Sequence, residues 1–207
     1  MWLKITLKIN ANRPAKNKLI NQKKSRLKAE GLLDPPLKET GLRNPFVQPV
    51  DVANSNESYA CPLQMGDRLI TQSMLAEAIG SHQAKALIIR TLPLSHTSPF
   101  QSYNNKTVPF FSNDAMHLIN HLGFRHLLVD LPSIDRLDDE GKLSNHRIFW
   151  GMKPGSFDTP STHFCTKTIT EFIYVPSTVQ DGRYKLNLQI APFDTESAPS
   201  RPMICLV

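Results

Sequence analysis

The sequence predicts an α/β domain built on a mixed sheet. Two short apolar runs, Lys85-Ala-Leu-Ile-Ile-Arg90 and His126-Leu-Leu-Val-Asp-Leu131, flank a capped amphipathic segment, the order expected of a right-handed βαβ crossover between parallel strands. Segments near both ends alternate apolar and polar residues with the period of a half-buried strand. A chain of 207 residues is long enough for one good core, so a single domain is expected.

The elements follow in order. Leu3, Ile5, Leu7 and Ile9 alternate with Lys4, Thr6 and Lys8, as in a strand with one covered face. Residues 11–30 are polar and basic, and residues 31–63 are rich in proline and asparagine without a period, which reads as irregular or loosely helical chain. The pattern sharpens from Gly66 onward. Thr71 can cap a helix over Gln72–Ile79 that Gly80 closes. After the first apolar run, Ser112 or Asn113 can cap a helix over Asp114–Leu122, with Ala115, Ile119 and Leu122 on one face, Met116 beside them and Gly123 as the stop. The β-branched and aromatic stretch Thr168–Val175 reads as a strand, and Asp181-Gly182 as a tight turn. Tyr184, Leu186, Leu188 and Ile190 alternate with polar residues, and Met203–Val207 forms a short apolar terminal strand. The expected division is a basic, poorly defined leader over residues 1–63 and an α/β domain over residues 64–207.

Charge divides the chain in the same place. Residues 1–43 hold 11 lysines and arginines against 3 acidic residues, net +8, and the remainder holds 13 against 15, net −2. Such an arm can bind phosphates without sequence preference or can be a solvated leader; the second reading is preferred because residues 11–30 have few apolar anchors, and no nucleic-acid partner is expected. No apolar run is long enough to span a membrane, and the start offers no continuous signal-like core. The three cysteines, Cys61, Cys165 and Cys205, are odd in number and far apart, which suggests reduced thiols and a cytoplasmic setting.

Candidate chemistry gathers after the second apolar run. Asp130-Leu-Pro-Ser-Ile-Asp135 ends a buried strand, the place where α/β proteins build sites. His146, just beyond Ser144-Asn145, could ligate a metal or act as a base, or could be a surface histidine in a polar loop. Glu171 lies in phase with Ile169 and Ile173; with both faces covered it must be paired or metal-bound, otherwise it sits on a solvated face. Asp130 and Asp135 could hold a histidine tautomer or a water, or merely cap the turn around Ser133. His117 and His121 have the i, i+4 spacing of a metal clip but fall opposite the apolar helix face, so a solvated face is the better reading. Asp138-Asp-Glu140 reads as an exposed acidic loop. The chain has no GxGxxG, P-loop, GxSxG or HExxH, so nucleotide, serine-hydrolase and zincin chemistries are unsupported.

Five motifs carry a resemblance: Lys85-Ala-Leu-Ile-Ile-Arg-Thr91, Leu128-Val-Asp-Leu-Pro-Ser-Ile-Asp135, Ser144-Asn-His-Arg147, Ile169-Thr-Glu171 and Ala198-Pro-Ser-Arg-Pro202. In this order they resemble the C-terminal half of the cyclase family of metal-dependent hydrolases, which includes kynurenine formamidases of tryptophan catabolism and isatin hydrolases. The resemblance covers about two-thirds of the chain, Gly66 to Val207. It implies a swivelling β/α/β domain with a mixed sheet, here incomplete at the N-terminus. It implies a divalent metal, zinc or manganese, held in part by His146 and Glu171, with Asp135 and Ser133 shaping the catalytic pocket. It implies hydrolysis of a small-molecule amide, N-formyl or cyclic; a homodimer is expected separately, as a way for a non-catalytic scaffold to persist. Gly151–Lys167 resembles an insertion. The family's upstream His-x-Gly-Thr-His-x-Asp ligand segment has no counterpart, since no histidine precedes His82. Two protein ligands seldom hold a catalytic metal, so the expectation is an impaired hydrolase whose metal has been lost or weakened; the alternative is a non-catalytic or truncated relative that serves as a folded scaffold.

Overall fold

A computed structural model describes residues 3–6, 37–43, 46–80, 84–91, 108–153, 167–176, 178–192 and 197–206. Eleven strands are present among them: β1 (Leu3–Thr6), β2 (Leu37–Arg43), β3 (Phe46–Val47), β4 (Val50–Asp51), β5 (Arg68–Ile70), β6 (Ala86–Thr91), β7 (Phe110–Phe111), β8 (His126–Val129), β9 (Thr168–Glu171), β10 (Arg183–Ile190) and β11 (Ser197–Leu206). Three α-helices join them: α1 (Gln72–Ile79), α2 (Asn113–His121) and α3 (Ser144–Trp150).

The main sheet is mixed and closes on itself. Its order is β2-β10-β11-β1-β9-β8-β6, and β6 pairs back onto β2, with β3 continuing along the same edge of β6. The expected βαβ unit is present. β6 and β8 are adjacent and parallel, with Ala86 opposite His126 and Ile89 opposite Val129, and β8 is parallel to β9. β1 lies antiparallel between β11 and β9, so the alternating segment at the start of the sequence fills an interior position in the sheet. A second, three-stranded sheet orders β4-β5-β7.

Strand alternation sorts the core into two clusters. Leu87, Ile89, Leu127, Val129 and Ile169 face outward and pack with Leu75 and Ile79 of α1, Ala115, Met116 and Ile119 of α2, and Phe149 of α3. Ala86, Ile88 and Leu128 face inward and meet Tyr184, Leu186 and Leu188 of β10. Deleting most of a buried Leu or Ile side chain from either cluster costs about 2–5 kcal/mol.

Several expectations are refined. Thr71 caps α1 through the Met74 N–H and Ser112 caps α2 through the Ala115 N–H. Leu122 is exposed, however, and Met116 takes its place in the core. His117 and His121 are exposed, as the apolar face of α2 requires. β9 stops at Glu171, because Phe172 adopts φ 58° and breaks the alternation; Ile169 therefore belongs to the outer cluster and Ile173 to the inner one. The Asp181-Gly182 turn makes no hairpin with β9; β10 pairs with β11 and β2, and Asp181 instead meets the guanidinium of buried Arg90. The terminal strand is longer than its apolar tail: Ser197–Ser200 pair with β1 and Ser200–Leu206 with β10.

Within residues 31–63 the chain forms short strands and a 3-10 turn at Val52–Asn54, with no α-helix among the described residues. Val47 and Cys61 are buried there. Residues 11–36, most of the basic arm, lie outside the described residues, as do Cys165 and most of the Gly151–Lys167 segment.

Candidate functional site

Three elements converge beyond the C-terminal end of β8. The strand leaves the sheet through Asp130 and Leu131 and turns at Pro132-Ser133. Ser133 Oγ accepts the Asp135 N–H at 3.1 Å, fixing the turn. The chain then runs to Leu143, whose φ of 47° redirects it into α3. Asp139 supports that reversal by accepting the N–H groups of Gly141 and Leu143, so the Asp138–Glu140 loop is only partly the exposed acidic loop expected: Asp139 is buried. The left-handed residue has a consequence for the site. It aims the first N–H groups of α3 at Asp135, which accepts from Asn145 N at 2.7 Å and His146 N at 3.3 Å. A carboxylate at the positive end of a helix is stabilised there.

His146 is the centre of the arrangement and is 1% exposed. Its Nδ1 lies 2.6 Å from Asp135 Oδ2. A carboxylate can only accept, so Nδ1 carries the proton and donates. Its Nε2 lies 3.4 Å from Glu171 Oε1, yet has no hydrogen-bond partner and no solvent. The separation permits an ion pair, but the geometry is not that of a hydrogen bond. Glu171 is itself 3% exposed, and its Oε1 accepts the Ile134 N–H at 3.1 Å. The buried, paired reading of Glu171 is the one observed: all four residues of β9 are buried, and Glu171 shares the face of Ile169. His146 is likewise no surface histidine.

The electrostatics follow from this closure. Burial alone would neutralise the His146 ring, but the Asp135 bond and the Glu171 carboxylate outweigh it, and the ring is pushed up to about 9. Burial would raise Asp135; its bonds to His146 and to the Asn145 N–H hold it below the ordinary carboxylate range instead.

Four contributors were not evident in the sequence. Tyr59 donates its hydroxyl proton to Asp135 Oδ1 at 3.1 Å and accepts the Arg136 N–H at 3.0 Å. Asn145 donates to the carbonyls of Phe111 and Ile134, tying the small sheet to the site turn. Asn113 donates to Asn145 Oδ1. Trp150, one turn after His146 on α3, packs its ring 5.4 Å from the imidazole. Asn145 stood out only as a neighbour of His146 in the Ser144–Arg147 motif, Trp150 belongs to no motif, and Tyr59 sits in a stretch with no period at all. Asp130 is not part of this group: it binds the N–H and hydroxyl of Thr91.

A metal can be tested against these donors. Two ligands on one tetrahedral ion, each about 2.1 Å from it, stand about 3.4 Å apart. The 3.4 Å between His146 Nε2 and Glu171 Oε1 fits one such edge, and the orphaned Nε2 is the atom a metal would satisfy. Asp135 on Nδ1 is the usual outer partner of a metal-bound histidine. Among the described residues no group of three or more His, Cys, Asp or Glu side chains is disposed to hold an ion, so the fit extends to two donors.

No family model matches the chain, and no curated protein matches it. Solved structures do. A predicted metal-dependent hydrolase from Bacillus stearothermophilus aligns at 15% identity over 80% of this chain, with a TM-score of 0.49. A potential metal-dependent hydrolase with cyclase activity aligns at 15% identity over 80%, with a TM-score of 0.50. The likeness to the second is one of fold. This chain spans 63% and 64% of the lengths of the two structures. The α/β architecture with a mixed sheet thus has a solved counterpart. No helix among the described residues is long and apolar enough to cross a membrane.

Proposed function

We propose that the chain is a cyclase-family hydrolase by lineage, acting on a small N-formyl or cyclic amide with impaired efficiency. One observation carries this reading: His146 Nε2 is buried, unpartnered and 3.4 Å from Glu171, while Asp135 holds the opposite ring nitrogen. The protein's own part in the chemistry is orientation. Asp135 fixes the Nδ1 proton, which leaves the Nε2 lone pair directed toward Glu171 when the ring is neutral. The Ile134 N–H sets the carboxylate of Glu171, and Trp150 flanks the ring. His146 and Glu171 would hold a divalent cation, zinc or manganese, which when bound supplies Lewis acidity and a water of lowered pKa. Ser133 acts by shaping the turn on which Asp135 stands. A swivelling-domain arrangement, a cytoplasmic setting and a homodimer belong to the same proposal, the setting resting on the free thiols of Cys61 and Cys205.

A second reading, a folded scaffold without catalysis, is favoured by the deep burial of both donors and by the restriction of the described ligand set to two. Hydrolysis of an N-formyl arylamine by zinc- or manganese-loaded protein separates the readings. Slow turnover above the free-metal control, abolished in His146→Ala, supports the hydrolase. No turnover with either metal leaves the scaffold.

A further inference from the structure

We propose that Tyr59 is a positioning residue for His146, acting through Asp135. The inference deepens the reading above and rests on it only for its functional consequence, the presentation of Nε2.

The segment around Tyr59 is a strap fastened at several points to the site's own framework. Glu57 accepts the N–H groups of Gln72 and Ser73 at the start of α1 and the hydroxyl of Ser112, the cap of α2. Ser58 donates its N–H and hydroxyl to Asp114 in the first turn of α2. Cys61 Sγ contacts the Asp139 carbonyl, and Arg136 reaches the Pro62 carbonyl and the Asp67 carboxylate. Between these anchors the Tyr59 ring packs 4.9 Å from Phe110.

Its hydroxyl therefore has little freedom, and both of its roles are filled within the site turn: it donates to Asp135 Oδ1 and accepts from the backbone of Arg136. Asp135 has two oxygens. The hydroxyl of Tyr59, the Asn145 N–H and, more distantly, the Ser144 hydroxyl hold Oδ1, which leaves Oδ2 facing the His146 ring. Without the phenol one oxygen loses a fixed donor, and the carboxylate can rotate away from the geometry that clamps Nδ1. Burial and the Asp135 charge together raise the phenol's pKa, so it stays a donor across the accessible pH range. A Phe at this position keeps the ring packing and removes only the bond.

The test is NMR of the metal-free full chain with isotope-labelled histidine rings. The wild type is expected to show a downfield, slowly exchanging His146 Nδ1 proton. Tyr59→Phe should accelerate its exchange by about tenfold, the scale of one hydrogen bond to a charged group. Glu57→Gln loosens one of several anchors of the same strap without touching Asp135, and should accelerate exchange far less than Tyr59→Phe does. An unaltered rate in folded Tyr59→Phe, or equal acceleration in both variants, overturns the inference. Should Tyr59→Phe not fold, a difluorinated tyrosine at position 59 strengthens the donation with the ring in place. It should move the Nδ1 proton resonance, and an unmoved resonance overturns the inference. Zinc titration of the same samples keeps the two claims apart. A wild type that ignores zinc while Tyr59→Phe still frees the Nδ1 proton removes the metal reading and sustains the positioning role.

Discussion

Asp135 Oδ2 and His146 Nδ1 stand 2.6 Å apart, both out of solvent, and the same carboxylate accepts the backbone N–H of His146. The side chain that starts the helix also clamps the ring the helix carries. Buried pairs of this kind contribute little net stability when intact, because desolvation offsets attraction, but breaking one leaves an uncompensated charge. Asp135→Ala is therefore expected to cost about 3–5 kcal/mol. Since the two residues share one interaction, Asp135→Ala with His146→Ala should cost less than the sum of the singles by about 1–3 kcal/mol. Urea unfolding of the four proteins at neutral pH measures this; additive losses would show that the pair is not coupled.

Phe172 holds φ 58° with its ring 45% exposed. A non-glycine residue in that region carries about 1 kcal/mol or more of strain, which here redirects the chain after Glu171. Phe172→Gly should consequently be more stable than Phe172→Ala by about 1 kcal/mol, the reverse of the usual order within strands. Thermal unfolding of the two variants decides the sign. An alanine variant equal to or better than glycine would mean that the bulge is relaxed.

A pH dependence independent of the His146 group comes from Asp130. Burial pushes its carboxyl up from 3.8 to about 6, although the Thr91 N–H, the Thr91 hydroxyl and the Arg90 charge pull the other way. A raised folded value means that the protonated form favours the fold. This contribution is complete below 3.8 and is lost as pH rises through about 6. A shift of this size corresponds to about 3 kcal/mol. Asp130→Asn keeps an acceptor for Thr91 and does not titrate, so its stability should gain on the wild type by that order between about pH 4 and pH 6. Denaturant midpoints across the window check it; parallel curves for the two proteins would contradict the burial argument.

How much of this was legible depended on where the controlling interaction lies along the chain. The β6–α2–β8 unit was readable because its signals are local: Ser112 caps α2 within three residues, and the strand interiors are continuously apolar. His146 and Glu171 were readable as candidates by residue type, and their juxtaposition followed from strand ends meeting one turn. The burial of Glu171 was not decidable, because coverage of both faces of β9 depends on elements distant in sequence. Nor was the pairing of Asp181 with Arg90, which sit at opposite ends of a long sequence separation. Tyr59 was hidden for a different reason: its segment is held by polar bonds to helix starts and has no apolar period to read. Closure of the sheet through β1 and β2 likewise depends on long-range pairing rather than on local pattern.

Zinc binding to the metal-free full chain, measured by isothermal titration beside His146→Ala and Glu171→Ala, tests the central claim most directly. Complete zinc sites contribute about 10–16 kcal/mol, and two donors of four supply on the order of half. The predicted result is one site per chain with Kd on the order of micromolar or weaker, lost in each variant. A wild-type affinity that neither substitution changes, or binding by neither the wild type nor the variants, would contradict a half-built metal site at His146 and Glu171.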